Sequence, residues 1–77
     1  MKAGDKVTLG GTTFIVLKMV KCKENTNQYN DEYEDIRVGV EYPVIVENDV
    51  NGEYINYLIM NRKHSKQYFN SDIFDEL

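Results

Sequence analysis

Tryptophan is absent from this chain of 77 residues, and cysteine, proline and histidine occur once each. Each scarcity removes a class of chemistry. Cys22 is alone, so no intramolecular disulfide forms and no cysteine-based zinc site is built. It reads as a thiol ending a strand; the alternative, a nucleophile with Lys21 and Lys23 lowering its pKa, also needs a positioned base that the sequence does not show. His64 has no recognisable nucleophile and orienting acid by spacing, and Ser65 beside it says nothing about geometry, so a solvated loop histidine is expected. No signal-peptide pattern opens the chain, no Asn-x-Ser/Thr acceptor occurs, and the longest apolar run is too short to span a bilayer. A reducing cytoplasm is the expected location, with no membrane association.

Two further motifs are missing. Gly10-Gly11 lacks the following Lys-Ser/Thr of a phosphate-cradling loop. Asp31, Glu32, Glu34 and Asp35 lack the spacing of a calcium loop, and Tyr33 stands where a ligand is needed. No catalytic set, metal site or cofactor is expected, and the chain is expected not to be an enzyme.

What is present is a small apolar inventory. Hydrophobic residues make up 42% of the chain, with six Tyr and three Phe to supply packing area. A chain this short forms one domain, residues 1–77, and buries only roughly 60–65% of its unfolded surface. A shallow surface site or an interface suits so thin a core better than an enclosed active site.

The longest apolar run, Thr12 to Val20, is β-branched and aromatic almost throughout, which favours a strand. Phe14, Val16 and Val20 would face one way, and Ile15, Leu17 and Met19 the other. That pattern predicts a central strand buried on both faces. Gly10-Gly11 before it predicts a hairpin setting Val7 opposite Phe14, Leu9 opposite Thr12 and Asp5 opposite Val16. Val38, Val40, Tyr42, Val44 and Val46 recur at period two, a half-buried strand, with Pro43 at an edge or a bulge. Asn51-Gly52 predicts a second hairpin, pairing Val46 with Tyr57, Val44 with Ile59, Ile45 with Leu58, Glu47 with Asn56 and Asp49 with Tyr54. Ser71 is expected to cap one short helical turn before a few closing extended residues. Cys22 to Arg37 has no hydrophobic period and reads as a long loop.

Hairpin, long acidic loop, hairpin, one turn and a closing strand make an order that resembles the SH3-like small barrels. Tyr68-Phe69-Asn70-Ser71-Asp72-Ile73 loosely follows the apolar-apolar-Pro-Ser-Asn-apolar segment of that fold. Gly4-Asp5-Lys6-Val7, Gly10-Gly11 and Phe14-Ile15-Val16-Leu17 are similar to small bacterial and phage accessory domains of this kind. The resemblance implies an all-β, mainly antiparallel, partly open barrel with one short helical turn near the C-terminus. It implies no proline-rich peptide site, because the Ala-Leu-Tyr-Asp-Tyr motif and the Trp pair are missing.

Charge is unevenly spread. Residues 24–53 carry nine acids against Arg37 alone, while the rest carries four acids and eight bases. This predicts two electrically distinct ends that steer different partners. The first expectation is a protein-interaction module that binds a basic protein through Glu24, Asp31, Glu32, Tyr33, Glu34, Asp35, Glu41, Glu47 and Glu53. In its sharper form it inhibits a nucleic-acid-binding enzyme by imitating a phosphate backbone. The alternative is a small-ligand or nucleotide binder using Arg62, Lys63, Lys66, Tyr57 and Tyr68, within one chain or across a homodimer. A structural subunit of a larger assembly is the third. Direct nucleic-acid binding is disfavoured by the net charge of −4.

Overall fold

The computed structural model describes residues 1–27 and 29–77. Among these residues seven strands and one 3₁₀ turn follow in order: β1 (Lys6–Leu9), β2 (Thr12–Ile15), β3 (Lys18–Cys22), β4 (Glu41–Val50), β5 (Tyr54–Met60), β6 (Lys66–Asn70), η1 (Ser71–Ile73) and β7 (Phe74–Glu76). β1 and β2 form a two-stranded sheet; the others form a five-stranded antiparallel sheet ordered β6-β5-β4-β3-β7. The protein is all-β and antiparallel, with one helical turn before the last strand, and its sheets do not close into a barrel.

The Gly10-Gly11 hairpin has the expected register, Val7 opposite Phe14 and Leu9 opposite Thr12. Both glycines have positive φ, 57° and 82°, which a Cβ would strain. Asp5 and Val16 extend the pairing, since Val16 N–H donates to Asp5 O at 2.7 Å.

The run from Thr12 to Val20 is not one central strand. It changes sheet between Val16 and Leu17. Val16 is still bonded to β1's lead-in, whereas Leu17 N–H donates to Val44 O at 2.8 Å in β4. Turning this corner leaves Ile15 and Leu17 exposed at 56% and 50%, so burial on both faces fails there. A β-branched run favours extended backbone without saying which strand it pairs with. The central strand of the five is β4.

Two cores result, one on each face of the five-stranded sheet. Val20, Cys22, Ile36, Tyr42, Val44, Tyr57, Ile59, Phe69, Ile73 and Phe74 form the larger. Under the β1–β2 hairpin, Val7, Leu9, Val16, Ile45 and Leu58 form the smaller, with Phe14, Met19, Val46 and Met60 at its margin. Fully burying an aliphatic side chain such as Val44 or Ile59 contributes about 1.5–3 kcal/mol, and both are fully buried.

The Asn51-Gly52 turn forms, with φ of 54° and 72° and Glu53 N–H donating to Val50 O at 3.0 Å. The expected register beyond it holds at Val44 opposite Ile59 alone. Nearer the turn the strands are shifted by one: Val46 faces Leu58, Glu47 faces Tyr57, Asn48 faces Asn56, Asp49 faces Ile55 and Val50 faces Tyr54. A bulge between Val44 and Val46 absorbs the difference. It lets Ile45 and Val46 both join the smaller core, while Val44 belongs to the larger. Pro43 lies beside this bulge, paired with Met19 of β3 and one residue before the β4–β5 ladder begins at Val44, so its missing N–H is tolerated.

Two other expectations change. Val38 and Val40 lie outside β4 and are exposed, because a turn at Gly39 (φ 86°) precedes the strand. The cap of η1 is Asn70, not Ser71: Asn70 Oδ1 accepts the Asp72 N–H at 3.1 Å, an amide oxygen one residue earlier doing the work of the hydroxyl.

Candidate functional site

The acidic loop between β3 and β4 is fastened at several points. Lys23 N–H donates to Ile73 O (2.9 Å) at its start, and Arg37 N–H donates to the Tyr42 hydroxyl (2.8 Å) at its end. Between them Ile36 is fully buried in the larger core, and Tyr33 meets Phe69 edge-on with centroids 4.9 Å apart. Tyr33 N–H also donates to Asn25 O at 2.7 Å, and Thr26 bridges Glu32. The Asn27 amide oxygen accepts the N–H groups of Tyr29 (2.8 Å) and Asp31 (3.1 Å), a side chain standing in for a backbone turn. Ile36 and Tyr33 are the apolar anchors hidden in a stretch without hydrophobic period.

Fastening the loop this way opens a cleft of about 620 Å³ between it and η1. Glu24, Thr26, Asn27, Tyr29 and Tyr33 line one side; Asn70, Asp72 and Ile73 line the other. Tyr29 is 74% exposed there.

The expected partner-binding residues divide. Glu24, Asp31, Glu32 and Glu34 are exposed on the loop and make no ion pair among the described residues, and Tyr33 is half-buried beneath them. Asp35 is turned inward: Lys63 Nζ lies 3.1 Å from its Oδ1, an ion pair without hydrogen-bond alignment, so that oxygen is buried without a hydrogen bond. Glu41 is exposed at the start of β4, and Glu53 is exposed at the tip of the β4–β5 hairpin. Glu47 belongs to a separate cluster, where Lys18 Nζ reaches it at 2.8 Å, pairs also with Glu76, and sits 4.7 Å from the centre of the Tyr57 ring. Burial alone would lower the Lys18 pKa, but hydrogen bonds to Glu47, Glu76 and Tyr57 outweigh it and raise the value. The bonds from Lys18 and then Tyr57 hold the Glu76 carboxyl below its usual range.

The basic candidates do not form one site. Tyr57 faces the larger core, while Lys66 lies over Phe14 on the other side of the sheet, 5.5 Å from the ring centre. Tyr68 is 52% exposed and meets Asn48 through its hydroxyl at 3.4 Å. Arg62 and Lys63 turn to the acidic loop: Arg62 N–H donates to Asp35 O (3.1 Å), and its guanidinium meets Glu34 O at 3.4 Å. The two oppositely charged segments expected at separate ends therefore touch.

Asn61 was not singled out from sequence, yet it shapes the basic loop. It is buried, its Oδ1 accepts the N–H groups of Lys63 and Ser65, each at 3.0 Å, and its Nδ2 donates to Gln67 Oε1 at 3.0 Å. His64 is exposed with φ of 58°. Cys22 is buried, and burial raises its thiol pKa although a bond to Glu24 O opposes this. Among the described residues no three His, Cys, Asp or Glu side chains cluster to hold a metal, and no helix is long and apolar enough to cross a membrane. The chain matches no family model, no curated protein and no solved structure.

Proposed function

We propose that the chain is a non-enzymatic protein-interaction module of the cytoplasm, an open variant of the SH3-like architecture, that binds a basic protein surface. The carrying observation is the fastened acidic loop. Glu24, Asp31, Glu32 and Glu34 are exposed and lack cationic partners among the described residues, while Tyr33, Ile36 and the Asn27 bonds hold the backbone beneath them. Carboxylates held in advance lose less freedom on binding than carboxylates on a free chain. Complementary charge also speeds encounter and rejects acidic competitors. The sharper version is that the partner is a nucleic-acid-binding enzyme whose basic channel accepts this row in place of phosphates.

The test is capture from lysate on the immobilised chain at low and high salt. The control is the variant carrying Asp31→Lys, Glu32→Lys and Glu34→Lys. These three side chains are exposed, and circular dichroism and urea unfolding check that the control keeps the fold. A basic protein retained by the native chain at low salt and released at high salt, but not retained by the variant, supports the reading. Equal capture by both chains, or none by either, rejects it.

A further inference from the structure

The acidic loop and η1 enclose a cleft between them. We propose that this cleft is the specificity site of the interaction module and receives an arginine side chain of the partner. The proposal rests on the interaction reading above and adds where on the acidic surface recognition happens.

Three features converge. The cleft of about 620 Å³ falls within the size range of ligand sites, and it is open enough to admit a segment of another chain. Among the described residues its ionisable lining consists of Glu24, Asp72 and the two phenols, with no lysine or arginine contributing to it. Its apolar lining is largely aromatic, and Tyr29, at 74% exposure, leaves surface free for a ligand. A ring face attracts a cation, and a carboxylate beside it completes the charge. A planar guanidinium is weakly hydrated, stacks on a ring and bonds a carboxylate through a fork; a compact ammonium does these less well.

The backbone around the cleft is already set. Asn27 Oδ1 holds the N–H of Tyr29, and Asn70 Oδ1 holds that of Asp72. Asn27 Oδ1 also holds the N–H of Asp31 and is fully used, while Asn70 Oδ1 keeps one acceptor site beside the carboxylates and rings. Asp31, Glu32 and Glu34 outside the cleft would then attract any basic surface, while the cleft selects one side chain from it.

The test titrates the isotope-labelled full chain with blocked Gly-Gly-Arg-Gly-Gly, followed by amide shifts. The same peptide with citrulline, which keeps the shape without the charge, and with lysine are the comparisons. Saturable shifts at Thr26, Asn27, Tyr33, Asp72 and Ile73 with the arginine peptide, absent with citrulline and weaker with lysine, are expected. Tyr29→Ala and Asp72→Asn should each weaken binding about threefold or more, while Glu53→Gln at the distant hairpin tip should not. Shifts spread over all the carboxylates, or equal binding of the lysine peptide, overturn the assignment. A captured basic protein that needs Asp31, Glu32 and Glu34 but ignores Tyr29→Ala and Asp72→Asn defeats the cleft alone. Arginine-peptide binding at the cleft without any captured basic protein defeats the interaction reading and leaves the cleft standing.

Discussion

Tyr33 stands edge-on to Phe69, with ring centroids 4.9 Å apart and planes at 84°. One aromatic contact thus ties the middle of the acidic loop to β6. Tyr33→Ala is expected to cost about 2 kcal/mol, below the full aromatic-to-alanine range because the side chain is half-buried. Tyr33→Phe should cost little, since the hydroxyl has no hydrogen-bond partner among the described residues. Urea unfolding measures both. Hydrogen exchange at the Tyr33 amide, bonded to Asn25 O, should accelerate in the alanine variant alone.

The hairpin at Gly10-Gly11 was readable because its register depends on local turn chemistry and period-two alternation alone. The loop anchors were not. Ile36 and Tyr33 are single residues in a polar stretch, and a single anchor has no period to detect. The contact of Arg62 and Lys63 with the acidic loop was hidden for a similar reason. Composition assigned charge to segments, but the fold decides which segments adjoin. The acids share one stretch of sequence, but in the fold Asp35 and Glu47 are engaged with lysines while Glu24, Asp31, Glu32 and Glu34 are exposed.

Asn61 is the least legible residue of importance. Its side chain makes three hydrogen bonds while buried, two of them holding the basic loop's backbone. Asn61→Ala leaves two N–H groups without that acceptor and is expected to cost about 2–3 kcal/mol. Gln67→Ala removes only the partner of Nδ2 and leaves both N–H bonds to Oδ1 in place, so its cost should be smaller. Chemical denaturation of both variants orders these effects, and equal costs would show that the backbone bonds do not dominate.

Ile45 tests the bulge. In the regular register expected from sequence, Val44 and Val46 share a face; in the structure Ile45 and Val46 both serve the core beneath the β1–β2 hairpin. Ile45→Ala should therefore cost about 3 kcal/mol. Its loss should loosen β1 and β2 before the larger core, seen as faster amide exchange in the hairpin. A pattern rule cannot foresee this shift, because strict alternation and a bulge use the same residues and differ only in which neighbouring layer claims them.

Lys18 and Glu76 contribute to opposite limbs of the stability curve. Glu76 has a depressed carboxyl pKa in the fold, so its contribution is present above the unfolded value of about 4.3 and is lost as pH falls through the lower folded value. Lys18 has a raised pKa, so its contribution is full below the unfolded value of about 10.4 and is lost as pH rises through the higher folded value. Glu76→Gln should flatten the acid limb, and Lys18→Met should flatten the alkaline limb. Lys18→Met should also move the Glu76 titration, followed by side-chain carbonyl resonances, upward. An unmoved Glu76 would place the cause elsewhere than the ammonium.

Cys22 offers a clock for opening of the larger core. The thiol is buried in β3, its pKa is raised first by that burial, and its Sγ–H meets Glu24 O at 3.1 Å. A raised pKa leaves little thiolate near neutrality, and burial denies a reagent access even to that fraction. In the folded chain Cys22 should therefore react with an aromatic disulfide reagent far more slowly than a free thiol, and the rate should rise to the free value in urea. Because Lys23 and Glu24, the residues just beyond it, are bonded to Ile73 O, detachment of the loop from η1 exposes the end of β3 first. Tyr33→Ala should then raise the native-state rate more than Ile45→Ala does at matched stability, since only the former frees the loop that covers this core. The reverse order would mean that the thiol is released by the hairpin-side core and that the loop is not its cover.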